Sequence, residues 1–260
     1  LDGGIILNFT ADAHLIKVLG EELIGTEVVG ILELVKNAYD ANANVCRVRI
    51  EKIPGLPHAE ESDNLFNEYE GPVLIIEDDG VGMSRNVIEN GWMRPASTLK
   101  TSVKDLLKQE KLKAIEKGEL GTFRSLVKEL KKHHGGRLPL GEKGVGRFAT
   151  HRLGRNVIIT TKTADIDFEY LLEINWDKFN ANDGKSSVDL GSVGFSLTRR
   201  APSRDYGPHN SGTRLIIYGG RTGYEFNESI IREINRSLLK LRSPKRAPAE
   251  FSTTFDCPQI

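Results

Sequence analysis

The stretch ELVKNAYDANA (33–43) constrains this chain more than any other, because it puts a polar row on a helix that must also build a core. Residues 26–41 space Val28, Leu32, Val35 and Tyr39 by four, three and four, the period of a helix with one buried stripe. Glu33, Asn37 and Asp40 are spaced four and three and share a second face, about 100° around the helix. That row belongs at the edge of the core, where the floor of a pocket can lie. Three further stretches follow in order: EDDGVGM (77–83), GEKGVGRFA (141–149) and SGTRLII (211–217).

Each stretch has a chemical reading and a plain one. An Asn37 amide oxygen is a hard ligand suited to Mg²⁺, which keeps several waters and takes few protein ligands. Glu33, one turn earlier, can polarise a water for attack on a phosphoryl group. The plain alternative is a half-exposed helix with ordinary polar residues. Asp78 ends an apolar run, 73–76, that reads as a buried strand. A carboxylate there can accept from an exocyclic amine, and Gly80 and Gly82 let the backbone approach a flat ring. Met83 can lie against that ring as an adaptable apolar contact. A tight turn explains the same residues, and a Ca²⁺ loop lacks its helix-loop-helix context.

In the third stretch, consecutive N–H groups of Gly141, Lys143, Gly144, Val145, Gly146, Arg147 and Phe148, leading toward a helix through Leu153, can cradle phosphates. Lys143 and Arg147 can add charge-assisted contacts. A flexible linker is the alternative. The segment has no G-K-[ST] ending and does not follow a first strand as a dinucleotide fingerprint does.

Composition narrows the class. At 260 residues with 38% hydrophobic content, the chain suits one large domain, or one domain with an insertion. Its 36 basic and 36 acidic residues leave no global field to draw it to nucleic acid or an anionic membrane. The two cysteines, Cys46 and Cys257, lack metal or disulfide-framework spacing and read as reduced thiols of a cytoplasmic protein. No apolar run approaches the roughly 20 residues of a spanning helix, and the start, LDGGIILNF, has no positive leader segment and reads as the edge of a fragment.

Periodicity places a short helix at 11–19 and a strand at 45–53, with Cys46, Val48 and Ile50 on one face. Residues 55–71 read as a loop. Residues 103–134, dense in Lys, Glu and Leu, read as two exposed helices interrupted at Gly118 and Gly121, with Gly135 and Gly136 as a hinge. Strands are expected at 156–161, 168–176, 193–199 and 213–218, with a turn at 182–184, and an amphipathic helix at 228–241. The charged face of 103–134 is an ordinary solvated surface or, less simply, a contact surface for a partner.

Taken jointly, the four stretches resemble the GHKL superfamily, whose nucleotide-binding domain is the Bergerat fold, over roughly residues 26–219. The loop style is nearest the heat-shock chaperone and MORC-like ATPase domains. The resemblance implies an α+β, two-layer sandwich: a mixed, mostly antiparallel sheet with helices on one face and an inserted helical lid. It implies Glu33 as catalytic base, Asn37 as Mg²⁺ ligand and Asp40 as a supporting acid. Asp78 would recognise the adenine amine beside Gly80, Gly82 and Met83. Gly144 and Gly146 would be phosphate-loop glycines, and Thr213 would back the adenine water network. Lys100 falls at the start of the lid.

The resemblance thus implies Mg²⁺-dependent ATP binding and slow hydrolysis, coupled to lid closure and an ATP-dependent homodimer. Further basic chemistry would come from a C-terminal transducer region outside this chain. The expected organisation is an ATP-binding domain at 1–242, with the lid at about 90–143, and a linker at 243–260. Partners are ATP and ADP. Nucleic acid stays open, and no membrane is expected. Two alternatives stand beside this reading: histidine-kinase-type phosphotransfer, and an ATP-switched binding module without significant hydrolysis. A plain interaction domain without nucleotide would need all four stretches to be coincidental.

Overall fold

A computed structural model of the chain describes residues 11–22, 24–52, 71–94, 101–133, 137–138, 146–180, 188–221, 226–241 and 251–259. The loop at 55–70, the hinge at 135–136 and the turn at 182–184 lie outside these residues.

Two helices come first, α1 (His14–Glu22) and α2 (Glu27–Asp40). Asp12 starts the former by accepting from the His14 N–H at 2.7 Å. Thr26 caps the latter, its hydroxyl accepting from the Val29 N–H at 3.2 Å. The strands β1 (Val45–Glu51) and β2 (Val73–Asp78) follow, then a helical turn, α3 (Arg85–Val87). The charged insertion forms α4 (Thr101–Lys117) and α5 (Leu120–His133), parted at Gly118. A short α6 (Ala149–Leu153) precedes β3 (Asn156–Lys162), β4 (Glu169–Asn175), β5 (Leu197–Arg200) and β6 (Gly212–Tyr218). The chain closes with α7 (Glu228–Leu241) and β7 (Ser252–Asp256).

The strands form one sheet in the order β5-β4-β3-β6-β2-β1-β7. Every pairing is antiparallel except the parallel β1–β7 edge. Strand alternation sends Cys46, Val48, Ile50, Leu74, Ile76, Ile159 and Ile217 to one face. There they join Ile16 of α1, Ile31 and Leu34 of α2, Leu153 of α6 and Ile231 and Ile234 of α7 in the main core. The opposite face carries a small cluster of Val73, Ile75 and Ile216. Helices therefore cover one face of a mixed sheet, the expected α+β architecture.

Two details differ from the sequence reading. In α2 the buried set is Val28, Gly30, Ile31, Leu34, Val35 and Ala38, while Leu32 and Tyr39 are only half-buried. The helix is flanked by α6 and α7 as well as the sheet, so it buries a broad arc rather than one stripe. The second difference is at 243–260, where a linker was expected and residues 252–256 instead extend the sheet. The Ser252 N–H donates to the Asn44 carbonyl at 2.8 Å, and Thr253 is buried. Phe251 packs edge-on against Tyr39 at 5.4 Å, with Arg137 over the Tyr39 ring at 4.9 Å. The polar run STTFD carries little strand signal of its own; it is a strand because β1 offers an unpaired edge.

Candidate nucleotide site

The site runs along α2 from the middle of the helix to its C-terminal end. At its C-terminal end, β2 runs through the middle of the sheet and delivers Asp78 to its edge. Asp78 pairs in register with Cys46 of β1 on one side and Thr213 of β6 on the other. Its side chain is buried, and Oδ1 accepts from the Gly80 N–H at 2.9 Å. Burial pushes the Asp78 carboxyl up to about 6, against the pull of the Gly80 N–H, the nearby Arg204 charge and the Thr213 N–H. The neighbouring acid is tied into the backbone instead. Asp79 Oδ1 accepts from the N–H groups of Asn44 and Val45, at 2.7 and 2.8 Å, and closes the α2–β1 connection.

The glycine turn fits this frame closely. A Cβ on Gly80 would lie 2.6 Å from the Ala41 carbonyl oxygen, and the Val81 N–H donates to that same oxygen at 2.8 Å. Gly82 has φ +70°, and a Cβ there would fall 2.0 Å from the Lys162 carbonyl oxygen. Beyond it the Met83 N–H donates to Thr161 Oγ1 at 2.8 Å, and Thr161 Oγ1 lies 3.0 Å from Thr213 Oγ1. Met83 itself is half-buried against the core. Ser211 Oγ donates to the Gly80 carbonyl at 2.8 Å. Hydroxyls from β3 and β6 thus knit the turn to the sheet.

At the other end of the site, α2 presents Glu33 and Asn37 to the exit of the glycine-rich segment. The position of a Cβ on Gly146 is 3.4 Å from Glu33 Oε2 and 3.6 Å from Asn37 Nδ2. Lys36 Nζ donates to the other Glu33 oxygen, Oε1, at 2.6 Å. Residues Gly146–Phe148 form a 3-10 turn that runs directly into α6.

The structure brings Glu33, Asn37 and Gly146 together at one end and Asp78, Gly80, Gly82, Met83 and Thr213 at the other. Asp40 lies in the last turn of α2, next to the Ala41 contact with Gly80. Two residues of the loop have side chains engaged by the protein. Phe148 is buried in the core against Trp176 at 6.3 Å, and so anchors the loop. Arg147 Nη2 donates to the Arg94 carbonyl at 2.6 Å, and burial lowers its guanidinium to about 10. Gly141, Lys143, Gly144, Val145 and Lys100 lie outside the described residues. Sequence reasoning missed Thr161, Ser211 and Lys36. Ser211 stood inside a quoted motif, and Thr161 is a polar residue at the end of the otherwise apolar run VIIT, but only strand register shows what either touches.

The family model described as histidine kinase-, DNA gyrase B- and HSP90-like ATPase matches residues 26–193, from the cap of α2 to just before β5. The chain belongs to that family. A comparison with curated proteins finds no match. Membership in these GHKL ATPases gives the chain ATP binding as its general activity, and the match includes Glu33, Asn37, Asp78 and the glycine-rich segment. Thr213 falls beyond the matched span, yet it is the cross-strand partner of Asp78. Among the described residues no helix is long and apolar enough to cross a membrane.

Proposed function

We propose that this GHKL domain binds ATP with Mg²⁺ and hydrolyses it slowly. The observation that carries the reading is that α2 touches both ends of one site. From Glu33 to Ala41 a helix rises about 12 Å, a span suited to a nucleoside polyphosphate with its base at Asp78 and its phosphates at Gly146. Asp78 accepts the exocyclic amine, Gly80 and Gly82 let the turn that presents it close onto the Ala41 and Lys162 carbonyls, and Thr213, tied to Thr161, orients the polar edge. The segment 141–147 offers backbone N–H groups to the phosphates.

Asn37 fits a divalent ion that takes most of its ligands from water and phosphate. Among the described residues no cluster of three or more His, Cys, Asp or Glu could hold a metal by itself. Bound there, Mg²⁺ would neutralise charge across the phosphate oxygens. Glu33 holds and orients the attacking water and takes its proton. Positioning and preorganised dipoles carry most of the effect.

Lid closure over the phosphates by residues of the 90–143 region, and pairing of two chains on ATP, complete the proposal, as does a chaperone-like cytoplasmic setting. The exposed Leu112, Ile115 and Leu120 at the α4–α5 bend are compatible with such a contact. The nucleotide-binding unit is taken to run through β7, since that strand completes the sheet.

The test is Glu33→Ala. Phosphate release should fall by roughly 10²–10⁴-fold, while calorimetry shows ATP and ADP binding retained. Parent-like turnover in that variant removes Glu33 as the base. A parent protein that binds ATP without releasing phosphate favours the switched binding module.

A further inference from the structure

The face of the sheet that the helices leave open is crossed by a strap, residues 201–211, between β5 and β6. Its anchors are polar and mostly buried. Tyr206 donates its hydroxyl to Glu169 Oε2 at 2.6 Å, and Arg200 Nε donates to Glu169 Oε1 at 2.6 Å. Glu169 is fully buried; burial opposes its charge, yet these donors hold its carboxyl below the usual range. Lys162 Nζ, also buried, donates to the Asn210 carbonyl at 2.8 Å. The strap ends at Ser211 and Gly212, and so enters β6 at the nucleobase end of the site.

Arg204 lies in the middle of this strap. Its guanidinium stacks on Tyr206 at 4.2 Å and pairs with Glu77 at 3.1 Å, with its side chain only 13% exposed. Strand alternation puts Glu77 on the open face and Asp78 on the helix face. Arg204 Nη2 is 3.3 Å from where a Cβ of Gly212 would stand, and that same point is 2.2 Å from the Asp78 carbonyl oxygen. The cation therefore sits directly behind the β2–β6 seam, across the sheet from the buried Asp78 carboxyl. Its Nη1 faces Glu77, while Nε and Nη2 are buried without hydrogen-bond partners among the described residues, Nη2 on the side of the Asp78–Gly212 seam.

We propose that Arg204 is a positioning residue of the nucleobase site: it fixes the Asp78–Gly212 seam from behind the sheet and supplies the positive charge that a buried carboxylate needs in order to accept an exocyclic amine. This rests on the ATP-binding reading above. The other groups around Asp78 do not replace Arg204. Asp79 and Glu77 flank it on its own strand and turn with negative charge. From β1 come the neutral Cys46, its thiol pushed well up by burial, and Arg47, whose side chain is 60% exposed and screened. From β6 comes Arg214, which shares Glu77 with Arg204, at 3.5 Å. From α2 comes Asp40, another acid. Arg204 differs from these in lying against the Asp78–Gly212 seam itself, where its charge favours the ionised form of Asp78.

Two variants and two readouts test this. The Asp78 carboxyl ¹³C resonance is titrated in nucleotide-free protein, and ADP affinity is measured by calorimetry from pH 5 to 9. In Arg204→Met the Asp78 midpoint should rise by about one unit from its starting value near 6. With the ionised carboxyl as the binding form, ADP affinity should fall about twofold at pH 7 and roughly ninefold at pH 5, with the deficit closing by pH 9. Arg204→Lys, which keeps the charge, should follow the parent profile. An unchanged Asp78 midpoint in Arg204→Met overturns the proposal, as does an affinity loss equal at every pH or a Lys variant that behaves like Met. A parent protein that fails to bind ADP at any pH refutes the ATP reading instead, and the titration then decides the role of Arg204 alone.

Discussion

Burying a carboxyl at the end of a central strand works against folding, and the role proposed for Asp78 is to accept from the nucleobase when a ligand arrives. Its folded pKa of about 6 lies above the ordinary value of 3.8, so the folded protein holds that proton more tightly than the unfolded chain does. By that linkage the group favours folding most at low pH and opposes it as pH rises through 6. Asp78→Asn should therefore leave thermal stability at pH 7.5 unchanged or raise it, by up to roughly 1–3 kcal/mol, while weakening ATP and ADP binding alike by tenfold or more. Equal affinity in that variant would remove the base-recognition role. In the parent protein, nucleotide affinity should decline as pH falls through 6.

His151 has the opposite linkage. It is buried between Gly20, Trp176 and Arg221, whose Nη2 lies 3.2 Å from its Nε2, and burial with the Arg221 charge depresses it to about 3. Its contribution is complete above pH 6.5 and is lost progressively as pH drops below that, because the unfolded histidine takes up a proton that the folded one refuses. The urea midpoint should fall between pH 7.5 and 5, and His151→Gln should flatten that slope. A slope identical in the variant would place the acid sensitivity elsewhere. At this scale the sequence was informative where chemistry is local. Glu33, Asn37, Asp78 and the glycines each stand out by type and spacing. Thr161 and Arg204 do not, because their meaning comes from which strand lies beside which and which face a strap crosses.

Among elements, the turn after β2 is the least forgiving. Gly82 combines a left-handed φ with a Cβ position inside the Lys162 carbonyl, so an added methyl meets backbone that cannot yield. Gly82→Ala should cost about 2–4 kcal/mol in urea unfolding, and should weaken nucleotide binding in the protein that still folds, since Met83 and Thr161 would separate. A variant within 0.5 kcal/mol of the parent, roughly the scatter of neutral surface changes, would mean the turn relaxes freely. Gly80, Gly82 and the apolar run before them were readable as a strand ending in a turn. The helices α2, α5 and α7 were readable too, because each carries a period of 3.6, and α4 because its run is dense in Lys, Glu and Leu. The strand β5 was shorter than its apolar pattern suggested, Leu197–Arg200 against 193–199, because a 3-10 turn at Leu190–Ser192 and an irregular stretch lead into it.

At the scale of the molecule, the least legible feature is what completes the sheet. β1 would be an exposed edge next to the central β2, and β7 covers it in parallel from Ser252 to Asp256. The contact reaches further than the edge. Arg137 lies over both the Tyr39 and Phe251 rings, which meet edge-on, and its Nη1 also donates to the Ala43 carbonyl just past the end of α2. The C-terminal turn of α2 in turn holds Gly80 through the Ala41 carbonyl. A chain cut after Leu241 should therefore lose more than peripheral stability. It removes Thr253 and Phe255 and so uncovers the β1 edge they pair with, as well as one flank of Tyr39, and at about 25 cal/mol per Å² of apolar surface a loss of several kcal/mol is expected in urea unfolding. The same cut should weaken ADP binding, because Ala41 no longer pins the turn that presents Asp78. Phe251→Ala in the full chain separates the two effects: it should reproduce part of the affinity loss while leaving the β1 edge covered. If the truncated chain unfolds and binds ADP as the full one does, β7 is an appendage, and the unit that holds the nucleotide ends at α7.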